Sequence, residues 1–216
     1  MSELIGSISA ALQSGKAKVV KELVEQALTE DVSAKAILED GLLAGMDVVA
    51  AKFRNNEVYV PEVLIAARAM NTGTALLKPQ LAESGAKPIG KALIGTVKGD
   101  LHDIGKNLVR MMFEGKGIEV IDLGVDVSPE RFIEAYQAEK ADVVALSALL
   151  TTTMAEMKST VDAFVGAGLR NDVIIMVGGA PVTENFCESI GADIYTSDAA
   201  SAAEAAKQAI LNKKGA

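Results

Sequence analysis

The sequence predicts a four-helix bundle in its N-terminal part, followed by an α/β domain built on a five-stranded parallel sheet. Three observations support this. From residue 2 to about 83, apolar residues recur at the three- and four-residue spacing of amphipathic helices. Gly, Pro and Ser then cluster at residues 84–90, as expected of a domain boundary. After this cluster, short apolar runs alternate with helical patterns, which is typical of parallel strands joined by crossover helices. We therefore expect a helical domain over 1–84, a linker over 85–90 and an α/β domain over 91–216.

The helical part contains four predicted helices separated by short turns. Ser2 can cap the first helix and Gly15 ends it, whereas Ser33 is suited to cap the third. Pro61 stands at the start of the fourth, where its missing N–H costs nothing. Four amphipathic helices joined by short turns are expected to pack as a small bundle.

The second part contains five predicted strands, each followed by a helix. The strands cover residues 91–97, 118–123, 142–146, 173–177 and 194–196. The helices cover residues 104–116, a segment beginning at 128, and residues 152–168, 183–190 and 199–212. This alternation predicts a flavodoxin-like (Rossmann-like) sheet with strand order 2-1-3-4-5. Its ligand crevice is then expected at the carboxyl ends of the strands, where the first and third strands adjoin.

Composition and charge exclude several classes of protein. The chain has a net charge of −8 and only 4% aromatic residues, which disfavours a nucleic-acid-binding protein. Apolar runs reach about eight residues, far short of the ~20 that cross a membrane. An early Glu3 without preceding basic residues argues against a signal peptide. One cysteine, Cys187, allows no internal disulfide and is expected to be a buried, inert thiol. We expect a cytoplasmic protein that binds neither nucleic acid nor membranes.

Three loops are expected to meet at the predicted crevice, and they cover residues 98–107, 147–149 and 178–183. The first loop contains His102, the only histidine of the chain. Asp100 could accept a ring N–H of His102 and turn the other nitrogen outward, as carboxylates do for metal-bound histidines. Ser147 could in turn hydrogen-bond Asp100. No second His or Cys accompanies His102, so a zinc site is disfavoured. A metal already held by a macrocycle, which needs one axial ligand, fits better.

The motifs of these loops, taken together, are more specific than any one alone. Asp100-x-His102-x-x-Gly105, Ser147-x-Leu149 and Gly178-Gly179 resemble the cobalamin-binding signature of base-off, His-on corrinoid proteins. The helical part carries a second match, formed by Gly45-Met46, Phe53, Glu57, and residues 61–64 and 67–70. It resembles the cap bundle of methionine synthase and of the corrinoid proteins of methanol, methylamine and aryl methyl ether methyltransferase systems. The resemblance covers almost the whole chain.

The resemblance implies a role for each motif. His102 would replace the cofactor's own nucleotide base as the axial cobalt ligand, with Asp100 and Ser147 relaying a proton to it. The displaced nucleotide tail would enter a slot lined by small residues. Tyr59 stands where the family often has Phe over the cobalt, and the bundle would act as a removable cap. The implied cofactor-binding residues are Asp100, His102, Asp103, Ile104, Gly105, Ser147, Leu149, Thr151, Gly178, Gly179 and Tyr59.

The function implied by the resemblance is that of a corrinoid methyl carrier, which performs no turnover alone. A partner methyltransferase would place a methyl group from an N- or O-methyl donor on Co(I). A second methyltransferase would take it from methyl-Co(III) to tetrahydrofolate or a thiol, and a reductive activase would restore inactive cofactor. A cobalamin-dependent sensor is an alternative, although sensors usually add a basic DNA-binding or output domain, which is not expected here.

Two further alternatives remain for the α/β part. The cobalamin subunit of a carbon-skeleton mutase shares the crevice motif, but the helical part argues against it. A phosphoacceptor receiver domain would need an Asp at the end of its third strand, where this sequence has Ser147.

Overall fold

The computed structural model describes residues 3–83 and 87–215, and the chain divides into two compact units. The main division falls between Pro88 and Ile89, and Gly115–Gly117 are grouped with the first unit. The predicted linker, 85–90, spans this boundary. Residues 84–86 lie outside the described residues, as do the chain ends, so nothing further follows for that part of the linker.

The first unit is helical, as predicted. Its helices are α1 (Glu3–Gln13), α2 (Ala17–Thr29), α3 (Ala34–Ala36), α4 (Ala44–Arg54) and α5 (Val60–Glu83). Helices α3 and α4 are joined without a break by a π-helical segment, Ile37–Leu43, so that the three segments together form the predicted third helix. The Ser33 hydroxyl accepts a hydrogen bond from Ala36 N at 3.2 Å, which confirms the predicted cap. The core of the unit contains the fully buried side chains of Ile8, Leu12, Ile37, Leu42, Met46 and Leu77.

The second unit is a parallel sheet covered by helices. Its strands are β1 (Gly90–Thr96), β2 (Ile118–Asp122), β3 (Val143–Ser147), β4 (Ile174–Gly178) and β5 (Ile194–Tyr195). The helices are α6 (Ile104–Glu114), α7 (Pro129–Glu139), α8 (Met154–Gly166), α9 (Glu184–Ile190) and α10 (Ala199–Gly215). The strand order is β2-β1-β3-β4-β5 with every neighbouring pair parallel, so the predicted fold and order are confirmed.

The register of the sheet decides where the loops emerge. Thr96 pairs with Ser147, and Ser147 pairs with Gly178, so β1, β3 and β4 end level with one another. The three loops that follow these strands therefore leave the sheet side by side.

The core of the second unit keeps this edge fixed. β1 and β3 are almost entirely buried, and Phe113, Phe132 and Phe164 fill the space between the sheet and its helices. Cys187 is buried as expected. Within the described ranges, no helix is both long enough and apolar enough to cross a membrane.

Candidate functional site

The loop between β1 and α6 is tied to the sheet by hydrogen bonds at both ends. The buried Thr96 hydroxyl donates to the His102 carbonyl at 2.9 Å. Gly99, with a φ of +80°, donates its N–H to Asp126 Oδ1 at 2.7 Å, and Asp126 N donates to the Asp100 carbonyl at 3.0 Å. The path of the loop is therefore fixed by its own strand and by the segment that follows β2.

The carboxylate of Asp100 lies at the centre of the loop and is fully buried. Its Oδ1 accepts a hydrogen bond from His102 N at 3.0 Å and lies 2.7 Å from His102 Nδ1. Its Oδ2 accepts from Leu149 N at 2.8 Å, Leu150 N at 3.2 Å and Thr153 Oγ1 at 2.8 Å. Both oxygens are thus fully used, one by its own loop and the other by the loop after β3.

These contacts decide the charge of Asp100. Burial alone raises the pKa of a carboxyl group, because it disfavours the charged form. Here the hydrogen bonds from His102, Leu149 and Thr153 outweigh burial and hold the pKa of Asp100 well below its usual range. Asp100 is therefore an ionised group that can only accept hydrogen bonds.

The charge of Asp100 in turn fixes the tautomer of His102. Because an ionised carboxylate has no proton to give, Nδ1 carries the proton of their 2.7 Å contact. In the neutral ring, Nε2 then presents a lone pair, which is the arrangement found in histidines that bind metals. The His102 side chain is 51% exposed, and none of the described residues hydrogen-bonds Nε2. This nitrogen is available to a ligand.

Four large apolar side chains are exposed on the two loops that meet at Asp100. Leu101 and Ile104 are 71% and 77% exposed, and Leu149 and Leu150 are also exposed. Large apolar side chains gathered on a surface indicate a binding site. A single available nitrogen on a surface with exposed apolar side chains suits a flat macrocycle that carries its own metal.

The side chain that hydrogen-bonds Asp100 from the loop after β3 is that of Thr153, whereas Ser147 was expected from the sequence. No hydrogen bond between Ser147 and Asp100 occurs in the part of the chain that the structure describes. The Thr153 hydroxyl lies 2.8 Å from Asp100 Oδ2 and 2.9 Å from the Leu150 carbonyl, and it is buried, whereas Thr151 is exposed. The sequence signal for Thr153 is the run of three threonines at 151–153, but the run does not show which hydroxyl turns inward.

The glycines of the motifs fall into two kinds. A Cβ on Gly179 would lie 1.8 Å from the Ala148 carbonyl oxygen, and its φ is +136°, so the fold itself requires glycine there. A Cβ on Gly105 or Gly178 would meet no described atom within 4 Å. The absence of side chains at these two positions leaves open space beside each of them.

The remaining predicted residues are placed as follows. Asp103 is exposed and accepts a hydrogen bond from the Asn107 side chain at 2.9 Å. Tyr59 belongs to the helical unit, where it is 66% exposed and precedes α5; its N–H donates to Glu62 Oε2 at 2.9 Å. The structure thus brings together Asp100, His102 and the Leu149 backbone, and it adds Thr96 and Thr153 as residues that sequence reasoning missed.

Fold and site together define a cobalamin-binding protein with a helical domain preceding its α/β domain. Residues 90–207 match a family described as a B12 binding domain, and residues 4–78 match a second family with the same description.

Relatives across the full length narrow the class further. The chain is 37% identical over 213 residues to a corrinoid protein of Desulfitobacterium hafniense, covering 97% of this chain and 98% of that protein. It is 40% identical over 208 residues to dimethylamine corrinoid protein 3 of Methanosarcina acetivorans, covering 96% and 97%. It is 39% identical over 210 residues to the trimethylamine corrinoid protein of Methanosarcina barkeri, again covering 96% and 97%.

Solved structures agree with these relatives. The methanol:cobalamin methyltransferase complex of Methanosarcina barkeri matches with a TM-score of 0.87 at 32% identity, covering 97% of this chain and 80% of that chain. A cobalamin-binding protein of Desulfitobacterium hafniense matches with a TM-score of 0.79 at 31% identity, covering 95% and 98%. The chain belongs to the corrinoid proteins of methyltransferase systems, and its cofactor is a corrinoid.

Proposed function

We propose that this protein is a methyl carrier that holds its corrinoid base-off, with His102 Nε2 as the axial cobalt ligand. The observation that carries the proposal is the contact of 2.7 Å between His102 Nδ1 and a buried, ionised Asp100, since it leaves Nε2 as the exposed lone pair. When bound, the corrinoid supplies a cobalt that can accept and release a methyl group.

The residues around His102 have separate tasks in this proposal. Asp100 orients the imidazole and favours a proton on Nδ1. His102 Nε2 would hold the metal of the cofactor, or a proton in its place, and the negative charge of Asp100 would favour the protonated ring. Thr153 takes the place in this relay that was expected for Ser147, because its hydroxyl reaches Asp100 Oδ2 at 2.8 Å. Ser147 stays in the proposal as a small residue at the edge of the slot.

The slot for the displaced nucleotide tail is proposed beside Gly105 and Gly178, where a side chain would enter open space. The exposed apolar residues Leu101, Ile104 and Leu149 would contact the face of the corrin ring. Tyr59, an exposed aromatic side chain of the helical unit, is proposed as a further cofactor-binding residue.

The partners proposed are a methyltransferase that delivers the methyl group from an N- or O-methyl compound and a second one that removes it. Support comes from relatives named as dimethylamine and trimethylamine corrinoid proteins, and from the methanol:cobalamin methyltransferase complex. A reductive activase completes the set, as the family resemblance implies.

The ligation is tested by visible spectra of protein loaded with hydroxocobalamin and then desalted. Wild-type protein should retain the corrinoid with a His-on spectrum, and His102→Ala should change that spectrum. Asp193→Asn is the control, because it neutralises a carboxylate that pairs with Arg170 and lies outside the loop of His102. Loss of all corrinoid from wild-type protein refutes the proposal, and identical spectra for wild type and His102→Ala remove His102 as the ligand.

Methyl transfer is tested on reduced, loaded protein mixed with a methylamine- or methanol-specific methyltransferase and its substrate. Uptake of the methyl group is read from the change in the visible spectrum of the cofactor. A protein that retains corrinoid in the His-on state but takes no methyl group from any such system would instead be the cobalamin-dependent sensor.

A further inference from the structure

A buried ion pair lies next to the loop between β1 and α6, and it makes no hydrogen bond to His102. Lys106, in the first turn of α6, has a side chain only 2% exposed. Its Nζ lies 2.7 and 2.6 Å from the two carboxylate oxygens of Asp122, the last residue of β2, and 2.9 Å from Asn107 Oδ1. A lysine is rarely buried so completely unless it is paired.

Stability alone is a weak reason for this pair. Removing two charges from water costs about as much as their attraction returns, and apolar replacements of similar size are often as stable. A buried pair fixes one arrangement of the groups around it, because its hydrogen bonds are satisfied in that arrangement only.

One connection runs from Asp122 to His102 through three hydrogen bonds. Asp122 Oδ1 accepts from Gly124 N at 2.9 Å, and the Gly124 carbonyl accepts from Thr96 N at 3.0 Å. The Thr96 hydroxyl donates to the His102 carbonyl at 2.9 Å. The carbonyl of the ligand residue is thus held by a strand end that is itself bonded to the segment Asp122 anchors.

A second connection reaches the residues just before His102. Asp126, four residues beyond Asp122, donates its N–H to the Asp100 carbonyl and accepts the Gly99 N–H on its carboxylate. Both connections start from the segment 122–126, and Lys106 holds the first residue of that segment.

We propose that Lys106 and Asp122 are positioning residues, which fix the segment 122–126 and through it the loop that presents His102 to cobalt. The inference rests on the proposed ligation by His102. It predicts that removing the pair changes the ligand geometry even where the fold is kept.

The decisive variant is Lys106→Met combined with Asp122→Asn, which removes both charges of the pair together. Arg110 Nη1, which lies 3.4 Å from Asp122 Oδ2, loses that contact but keeps Glu114, 3.9 Å from its Nε, as a partner. We expect a folded protein with a cooperative melting transition. Its hydroxocobalamin affinity should fall about 10-fold, the lower end of losses seen when groups supporting a metal ligand are removed. The His-on fraction at saturation should fall as well. In the cofactor-free protein, the amides of Thr96 and Gly124 should exchange with solvent about 10-fold faster, with exchange in β4 unchanged.

The matched control is Asp193→Asn. Asp193 also uses one oxygen for a cation, Arg170 at 2.7 Å, and the other for a backbone N–H, that of Ile175 at 2.7 Å. It stands just before β5, and neither contact involves the His102 loop. This variant should leave the His-on fraction at the wild-type value. An equal spectral change in Asp193→Asn overturns the inference, because the effect would then be general destabilisation.

A wild-type His-on fraction and wild-type amide exchange in the double variant likewise overturn it. If the double variant fails to fold, Asp122→Glu makes the same test, since it keeps the charge but displaces the carboxylate. An altered His-on fraction in Asp122→Glu supports the inference, and an unaltered one overturns it. His102→Ala reports on the underlying ligation separately. If its spectrum equals that of wild type, the proposed function fails, and the exchange of the Thr96 and Gly124 amides still shows whether the pair holds the loop.

Discussion

Replacing Gly105 by Ala separates the stability of the protein from the binding of its cofactor. Gly105 is the second residue of α6, its φ is not positive, and a Cβ there meets no described atom within 4 Å. Glycine inside a helix is less stable than alanine by about 0.5–1 kcal/mol, because it loses more conformational freedom on folding. Gly105→Ala should therefore stabilise the cofactor-free protein by up to about 1 kcal/mol.

The same substitution should weaken corrinoid binding, because the new methyl group enters the space proposed for the nucleotide tail. A poorly accommodated methyl group costs about 1–3 kcal/mol, which corresponds to a loss of about 5- to 150-fold in affinity. Urea denaturation of the cofactor-free protein measures the first effect, and titration with hydroxocobalamin measures the second.

Higher stability together with weaker binding is a combination that general damage to the fold does not produce. A variant that is stabilised and binds hydroxocobalamin with unchanged affinity would refute the tail slot at Gly105. A destabilised variant would refute the reading of this position as open space.

Three other predictions concern Thr153, Gly179 and Cys187. Thr153→Val removes one hydrogen-bond donor from Asp100, so it should lower the free energy of unfolding in urea by about 1–3 kcal/mol and reduce the His-on fraction. Thr153→Ser keeps the hydroxyl and should preserve both quantities. Equal behaviour of the two variants would contradict a role for the hydroxyl. Gly179→Ala should destabilise the cofactor-free protein by about 3 kcal/mol or more, because the new Cβ would overlap the Ala148 carbonyl and the φ of residue 179 is +136°. A melting temperature near that of wild type would show that the turn adapts. Burial raises the pKa of the Cys187 thiol to about 11, with the neighbouring carboxylates adding to the shift, so at pH 8 about one thiol in a thousand is ionised. Folded protein should therefore resist thiol reagents and unfolded protein should react once per chain, and fast reaction of the folded state would contradict the buried position.

The fold was predictable because each element has a strong and separate sequence pattern. Strand β1 was predicted at 91–97 and lies at Gly90–Thr96, and the order 2-1-3-4-5 is the observed one. The π-helical segment Ile37–Leu43 was not predicted. It differs from an α-helix by a shift of one residue in the hydrogen-bond pattern, and apolar spacing over two turns does not resolve such a shift.

The site was predictable only as far as loops could be assigned to strand ends. The pairing of Asp100 with His102 is local, two residues apart, so spacing was sufficient to predict it. The contact from Thr153 joins positions 53 residues apart and depends on how the turn after β3 bends, which apolar patterns do not report. The role of Thr96 was not predicted for a related reason. Its hydroxyl donates to a backbone carbonyl rather than to a side chain with recognisable chemistry.

The strand order, rather than any single motif, makes the site chemically possible. A fully buried carboxylate is stable only if donors satisfy both oxygens, and the loop of Asp100 itself supplies donors to only one of them. The donors to Oδ2 come from the loop after β3, which reaches Asp100 because β3 is the neighbour of β1 and ends in register with it. On the other side of β1, the segment after β2 supplies Asp126, which holds the backbone of the same loop.

A sheet in which β1 stood at an edge would lack one of these two supports. Either Asp100 would have to be protonated, which would remove the preference for a proton on Nδ1, or its loop would be free to move. The position of β1 between β2 and β3 therefore gives the histidine of a two-residue motif one defined and available nitrogen.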